Sequence, residues 1–185
     1  DCIDLYLDHW PGCAKVKGDD GAANKRARLE TWRAFEKLVE EGCCRQLGVS
    51  NYLPRHLAEL LEECSVPPVV NQVEFHPRLF QRDLLAYCQD GGIQLFSYSP
   101  LGTGLLLEED TVQRIAASHD CPASQVLLSW ALQHGAGVVV RSCQEKHIRQ
   151  NWEGLDRLSL TADEMTALNS LHEDFHYNWD PSGIL

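Results

Sequence analysis

Short runs of aliphatic and β-branched residues alternate along the chain with longer stretches whose apolar residues recur every three or four positions. Ile3 to Leu7 reads as a strand, and the Gly-, Asp-, Lys- and Ala-rich stretch from Lys15 to Lys25 reads as a loop. Leu29 to Val39 has the period of a helix, with Trp32, Phe35, Leu38 and Val39 on one side and a stop at Gly42. Leu47 to Ser50 is the next strand end. Pro54 then opens a helix whose buried stripe is Leu57, Leu60, Leu61 and Cys64. Val69 to Glu74 gives a third strand. A helix with Leu84, Leu85 and Cys88 inward follows, broken by Gly91-Gly92 before a fourth strand at Gln94 to Ser99. Two helices come next, the second opening at Pro122 and burying Val126, Leu127 and Trp130. Val138 to Val140 is the fifth strand, followed by a short polar helix. Thr161-x-x-Glu164 is a capping box for a last helix with Met165, Leu168 and Leu171 inward, and Glu173 to Leu185 has no period and reads as a loop.

Strands that alternate with helices at this spacing pair in parallel through right-handed crossovers, which leaves a barrel or an open doubly wound sheet. Gly102-Thr103-Gly104 is a fragment of a dinucleotide fingerprint without its third glycine, and it does not open the first strand-helix unit. Polar residues fall at the carboxyl ends of the strands: His9, Ser50 with Asn51, Gln72 with Glu74, Tyr98 with Ser99, and Arg141 with Ser142. A barrel collects all of them on one rim, so the expected class is α/β of the TIM-barrel type, with residues 1–185 in a single domain.

The fifth of these junctions, Gly137 to Asn151, has the character of an anion site. Backbone N–H groups at a helix start lack intrahelical partners, and Arg141, Lys146 and Arg149 face only Glu145 in a chain of net charge -11. Ser142-Cys-Gln-Glu145 is also a capping box, so the Ser142 hydroxyl has a second reading as a helix cap. The acidic balance argues against nucleic acid or an anionic membrane as the main partner. No apolar run reaches the roughly 18 to 20 residues that span a bilayer, and no secretory pattern opens the chain. The eight cysteines are scattered without a C-x-x-C pair, which suits reduced thiols and a cytoplasmic protein. Glu74 and His76, two apart in a strand with no third ligand, make a poor metal site, and no metal is expected.

Five segments, in order, resemble the aldo-keto reductase superfamily: Asp4-Leu-Tyr-Leu-Asp-His-Trp-Pro11, Gly48-Val-Ser-Asn-Tyr52, Asn71-Gln-Val-Glu-Phe-His-Pro77, Phe96-Ser-Tyr-Ser-Pro-Leu-Gly102, and Arg141-Ser142 through Arg149-Gln-Asn151. The resemblance implies hydride transfer between NADPH and an aldehyde or ketone. It gives His9 the place of the histidine that hydrogen-bonds the substrate carbonyl, where a donor lowers the barrier because charge grows on that oxygen. Trp10 falls at the pocket-wall aromatic. Ser50, Asn51 and Gln72 match the side chains that hold the nicotinamide carboxamide, and Tyr98 the ring that stacks on the nicotinamide. Ser99, Leu101 and the following glycines match the segment that closes over the pyrophosphate. Arg141 and Ser142 fall where the 2'-phosphate of NADP binds, and Gln150 and Asn151 match the adenine-binding pair. His147 stands where the family usually has Arg, which puts affinity in doubt because His is mostly neutral at pH 7. Asp8 replaces the apolar residue usual before the histidine, and strand alternation aims it away from the pocket.

The resemblance also implies three strand-helix units before the strand that leads to His9, carrying an Asp, a general-acid Tyr and a Lys with no counterpart here. The expected assignment is therefore a C-terminal portion, strands four to eight of a barrel that takes about 250 residues. On that reading the chain alone is inactive, and the complete protein is a monomer. The competing reading is a non-catalytic barrel remnant that holds NADP or a protein partner.

Overall fold

A strand lies at each of the five segments read as strands, with bounds shifted by up to three residues: the second starts at Cys44 rather than Leu47, and the fifth ends at Val139 rather than Val140. The computed structural model describes residues 2–153 and 158–185. Among these, β1 (Ile3–Asp8), β2 (Cys44–Ser50), β3 (Val70–Glu74), β4 (Gln94–Tyr98) and β5 (Gly137–Val139) follow one another in chain order across the sheet. The pairs β1 with β2, β2 with β3, and β4 with β5 are parallel. Between and after them lie α1 (Gly21–Glu40), α2 (Pro54–Glu63), α3 (Arg82–Asp90), α4 (Asp110–Ser118), α5 (Ala123–Gln133), α6 (Glu145–Trp152) and α7 (Ala162–Asn169). No described helix is long and apolar enough to cross a membrane.

The chain forms two compact units. The first comprises Asp1–Val73, Arg82–Leu95 and Trp179–Leu185. Its core holds Trp32 from α1, Leu47 and Val49 from β2, and Leu57 and Leu60 from α2, all essentially without solvent contact. Gly48, in register with Leu7, is crowded from both sides: a Cβ there would meet Leu7 Cδ2 at 2.5 Å and the Val70 carbonyl oxygen at 3.0 Å, so a side chain fits only if neighbours shift. Residues 15–25, expected as a loop, correct to a loop that ends at Asp20. The Asp20 carboxylate accepts the Ala23 N–H at 3.1 Å and starts α1 four residues earlier than Lys25, in an alanine-rich stretch of high helix propensity. The buried Asn24 then ties the remaining loop down by donating to the carbonyls of Lys17 and Gly18.

The second unit comprises Glu74–Gln81 and Phe96–Asn178. Its core is aromatic: Phe75 stacks on Trp130 at 4.9 Å between centroids, Phe80 meets Trp130 edge-on at 5.4 Å, and Trp130 donates to Asn169 Oδ1 at 2.8 Å. α5 supplies most of it, buried from Gln125 to Ala131. The Thr161 and Glu164 side chains cap α7 reciprocally, as their spacing indicates. The eight cysteines are all free thiols.

Candidate functional site

In the first unit the residues at the carboxyl ends of β1 and β2 are wired to each other and to Gln72 within β3. Ser50 Oγ donates to the Gln72 carbonyl at 2.7 Å, and the Asn51 N–H donates to the same carbonyl at 2.9 Å. Asn51 sits in the left-handed region at φ 64, which turns its amide back toward β1. From there Nδ2 donates to Ser50 Oγ at 3.1 Å and to the His9 carbonyl at 3.0 Å. The backbone of His9 is thus clamped while its side chain is exposed. Trp10 is half-buried and meets the Trp179 ring edge-on at 6.4 Å.

Asp8 was not expected to take part. Its carboxylate accepts the Tyr52 hydroxyl at 2.6 Å and lines a cleft of about 220 Å³ with Trp10, Cys13, Arg28 and Thr31. Burial pushes the Asp8 carboxyl up, against the opposing hydrogen bonds from Tyr52 and from the backbone at Trp10 and His9. The sequence signal was there, a carboxylate in place of an apolar residue, but its partner lies 44 positions away.

In the second unit a cleft of about 210 Å³ is lined by Leu101, Arg141, Ser142, His147, Gln150 and Asn151, together with Leu107 and the start of α5 at Pro122, Ala123 and Ser124. Six of the residues singled out in sequence therefore share one wall-to-wall space, and the α5 start is the part that sequence reasoning missed. Gln125 Nε2 fixes α6 there by donating to the carbonyls of Gln150 and Glu153 at 2.9 and 2.6 Å. Asn151 is buried and Arg141 exposed.

Two details of the anion-site reading are corrected. The Ser142 capping box does not form: α6 starts at Glu145 with Gln144 as its N-cap, and Ser142 Oγ accepts the Gln144 N–H at 3.2 Å in a local turn. Arg149 is paired with Glu145 at 2.9 Å and lies 3.8 Å from Glu153, both at i,i+4 spacing. Arg141 and Lys146 remain as the cations of this stretch without an ion pair among the described residues.

Tyr98 and Ser99 close β4. Burial, with the Glu74 carboxylate nearby, pushes the Tyr98 hydroxyl up to about 12. Ser99 is left-handed at φ 48, and its Oγ accepts from Asn178 Nδ2 at 3.2 Å. Glu74 and His76 bond each other at 3.1 Å, and among the described residues no group of three or more His, Cys, Asp or Glu side chains could hold a metal ion.

The family model for the aldo/keto reductase family matches residues 1–173, and the chain belongs to that family. It is 41% identical to the glyoxal reductase of Bacillus subtilis (strain 168) over 185 residues, covering all of this chain and 62% of that protein. Among solved structures it superposes on an aldo-keto reductase from a Medee basin deep-sea metagenome library with a TM-score of 0.87 at 34% identity, over the whole chain and 65% of the other. A Bombyx mori aldo-keto reductase in complex with NADP matches with a TM-score of 0.86 at 28% identity, over 96% of this chain and 60% of that one. The chain thus spans about three fifths of the length of the relatives it matches. Together with the parallel strand-helix order, these likenesses make the fold one of TIM-barrel type.

Proposed function

We propose that this chain carries the cofactor-holding part of an NADPH-dependent aldo-keto reductase acting on aldehydes or ketones, corresponding to strands four to eight of the barrel. What carries the reading is the second-unit cleft, which gathers Arg141, Ser142, His147, Gln150 and Asn151 around one space. The donor set fits a phosphorylated nucleoside: an exposed guanidinium and a hydroxyl for phosphate, and amide side chains for adenine. In this reading Arg141 and Ser142 hold the 2'-phosphate, His147, Gln150 and Asn151 the adenosine, and Ser99 and Leu101 the pyrophosphate. Ser50, Asn51 and Gln72 take the carboxamide, and Tyr98 the face of the nicotinamide ring. NADPH, when bound, supplies the hydride.

His9 orients the substrate carbonyl, its backbone held by Asn51, and Trp10 lines the pocket. The proton must come from elsewhere. Tyr52 donates its hydroxyl to Asp8 at 2.6 Å, so its proton is committed. The Tyr98 hydroxyl, pushed up to about 12, is a poor proton donor at neutral pH and is assigned to the cofactor face. The chain alone therefore binds NADPH without reducing carbonyls at ordinary enzyme rates. The test is a titration of NADPH fluorescence on the chain, followed by an assay against a broad aldehyde panel. Saturable binding with negligible oxidation is expected; no binding would sink the cofactor assignment, and rapid turnover would sink the inactive reading.

A further inference from the structure

Glu74, the last residue of β3, has no role in the assignments above, yet its carboxylate is 2% exposed. Its Oε1 accepts the backbone N–H of Tyr177 at 2.9 Å and its Oε2 that of Asn178 at 3.2 Å. His76 Nε2 lies 3.1 Å from Oε1, and His176 Nδ1 lies 3.6 Å from Oε2. A buried carboxylate is tolerated only when its oxygens find donors, and here the donors are two consecutive peptide groups of the tail. Two bonds to successive N–H groups fix both the position and the direction of the chain that carries them. From that fixed point Asn178 Nδ2 reaches Ser99 Oγ at 3.2 Å.

That contact has a chemical consequence at Ser99. A hydroxyl has one proton to give and two lone pairs to receive, so an oxygen that accepts from an amide keeps its own hydrogen for another acceptor. We propose that Glu74 is a positioning residue: by gripping the tail at Tyr177 and Asn178 it sets the Asn178 amide against Ser99, which keeps the Ser99 hydroxyl as a donor for a pyrophosphate oxygen of the dinucleotide. The inference rests on the cofactor reading for Ser99 and adds the residues that prepare it.

Hydrogen exchange on the chain without cofactor, combined with NADPH titration, tests it on Glu74→Gln and Asn178→Ala. An amide in place of the carboxylate offers one acceptor instead of two, so Glu74→Gln is expected to speed exchange at the Tyr177 and Asn178 amides by about tenfold or more. Asn178 is exposed, and its replacement by Ala leaves the peptide N–H in place; exchange at Tyr177 is expected to stay slow while NADPH binding weakens by about three- to tenfold. Glu74→Gln is expected to weaken NADPH by a similar factor, and the double variant by no more than that, because the two act through one contact. Unchanged exchange in Glu74→Gln would overturn the grip alone. Wild-type NADPH affinity in Asn178→Ala would overturn the link to Ser99, and absence of NADPH binding by the unaltered chain would overturn that link together with the reading it rests on.

Discussion

Tyr52 donates its hydroxyl to Asp8 across 2.6 Å, joining the turn after β2 to the last residue of β1 immediately before His9. Tyr52 is 1% exposed, and burial beside the Asp8 charge pushes its hydroxyl far up, so it stays a donor at any working pH. Tyr52→Phe leaves a partly buried carboxylate short of its best donor. The expected cost is roughly 1.5 to 3 kcal/mol, the scale of a hydrogen bond to a charged group. Asp8→Asn keeps an acceptor and is expected to cost less. Urea denaturation of the two variants checks the order, and a Tyr52→Phe chain as stable as the parent would show that the bond carries no stability.

His56 gives the fold a dependence on mild acid. Its Nδ1 accepts the Leu53 N–H at 3.2 Å, so the proton sits on Nε2 and points at the Ile184 carbonyl 2.8 Å away. Burial, opposed by the Ile184 bond and reinforced by Arg28 and Arg55, lowers its pKa to about 4. The folded value is below the unfolded 6.5, so the folded state resists protonation. Stability is therefore full above about pH 6.5 and falls as pH drops from there toward 4, by about 3 kcal/mol in total. Glu74 acts in a lower window. Burial raises its pKa, but the bonds from His76, Tyr177 and Asn178 outweigh this and hold it below 4.5, so its contribution is lost only as pH falls further. Urea midpoints measured from pH 7.5 to 4.5 should decline, and His56→Gln should flatten that decline; a midpoint constant over this range would exclude the His56 effect.

The strands were legible as short apolar segments set between turn residues and helical patterns, and α2 and α3 because their apolar stripes have a helical period; α5, opened by Pro122, is buried continuously from Gln125 to Ala131. Local chemistry misled where two local solutions compete. Asp20 could end a loop or cap a helix, and it does both: its carboxylate caps α1 while Asn24 holds the preceding loop at residues 17 and 18. Ser142 could cap α6, but the chain turns there first. The candidate site was legible through the resemblance of whole segments; spacing alone could not bring Leu101 to the same cleft as Asn151. Long-range polar partners left no trace in the sequence. Nothing in Glu74 announces Tyr177, 103 residues later.

The adenosine end of the proposed site makes a prediction about cofactor choice. Arg141 and His147 line the same cleft, and both are exposed, so substitutions there should leave the fold intact. Arg141→Ala is expected to cost roughly 1.5 to 3 kcal/mol of NADPH affinity and little of NADH affinity, since only NADPH carries the 2'-phosphate. His147→Arg adds a permanent charge and a planar fork, and should tighten NADPH. Parallel fluorescence titrations with both nucleotides decide the matter. Equal affinities for NADPH and NADH in the unaltered chain would refute the phosphate assignment.

The outer strands of the sheet carry the last prediction. Among the described residues β1 and β5 stand at the two ends of the strand order, each with one strand neighbour. Apolar side chains on them are in contact with solvent: Ile3 is 52% exposed, Tyr6 39% and Val139 44%. An edge strand offers a row of unpaired N–H and C=O groups to any other strand, and a closed barrel has no such edge. β1 is the longer of the two, six residues against three in β5, and both of its carboxylates are engaged, Asp4 with Arg45 and Asp8 with Tyr52. The isolated chain is therefore expected to self-associate in dilute buffer, visible by light scattering as species larger than 20.9 kDa. Trp152 and Trp179, 83% and 81% exposed, offer a second route to association through surface apolar contact. Substitution separates the two. Ile3→Lys places a charge on the β1 edge and should suppress association, whereas Trp152→Ser should leave it nearly unchanged. A monodisperse monomer would refute the edge argument, and suppression by Trp152→Ser alone would move the cause from the sheet edge to α6.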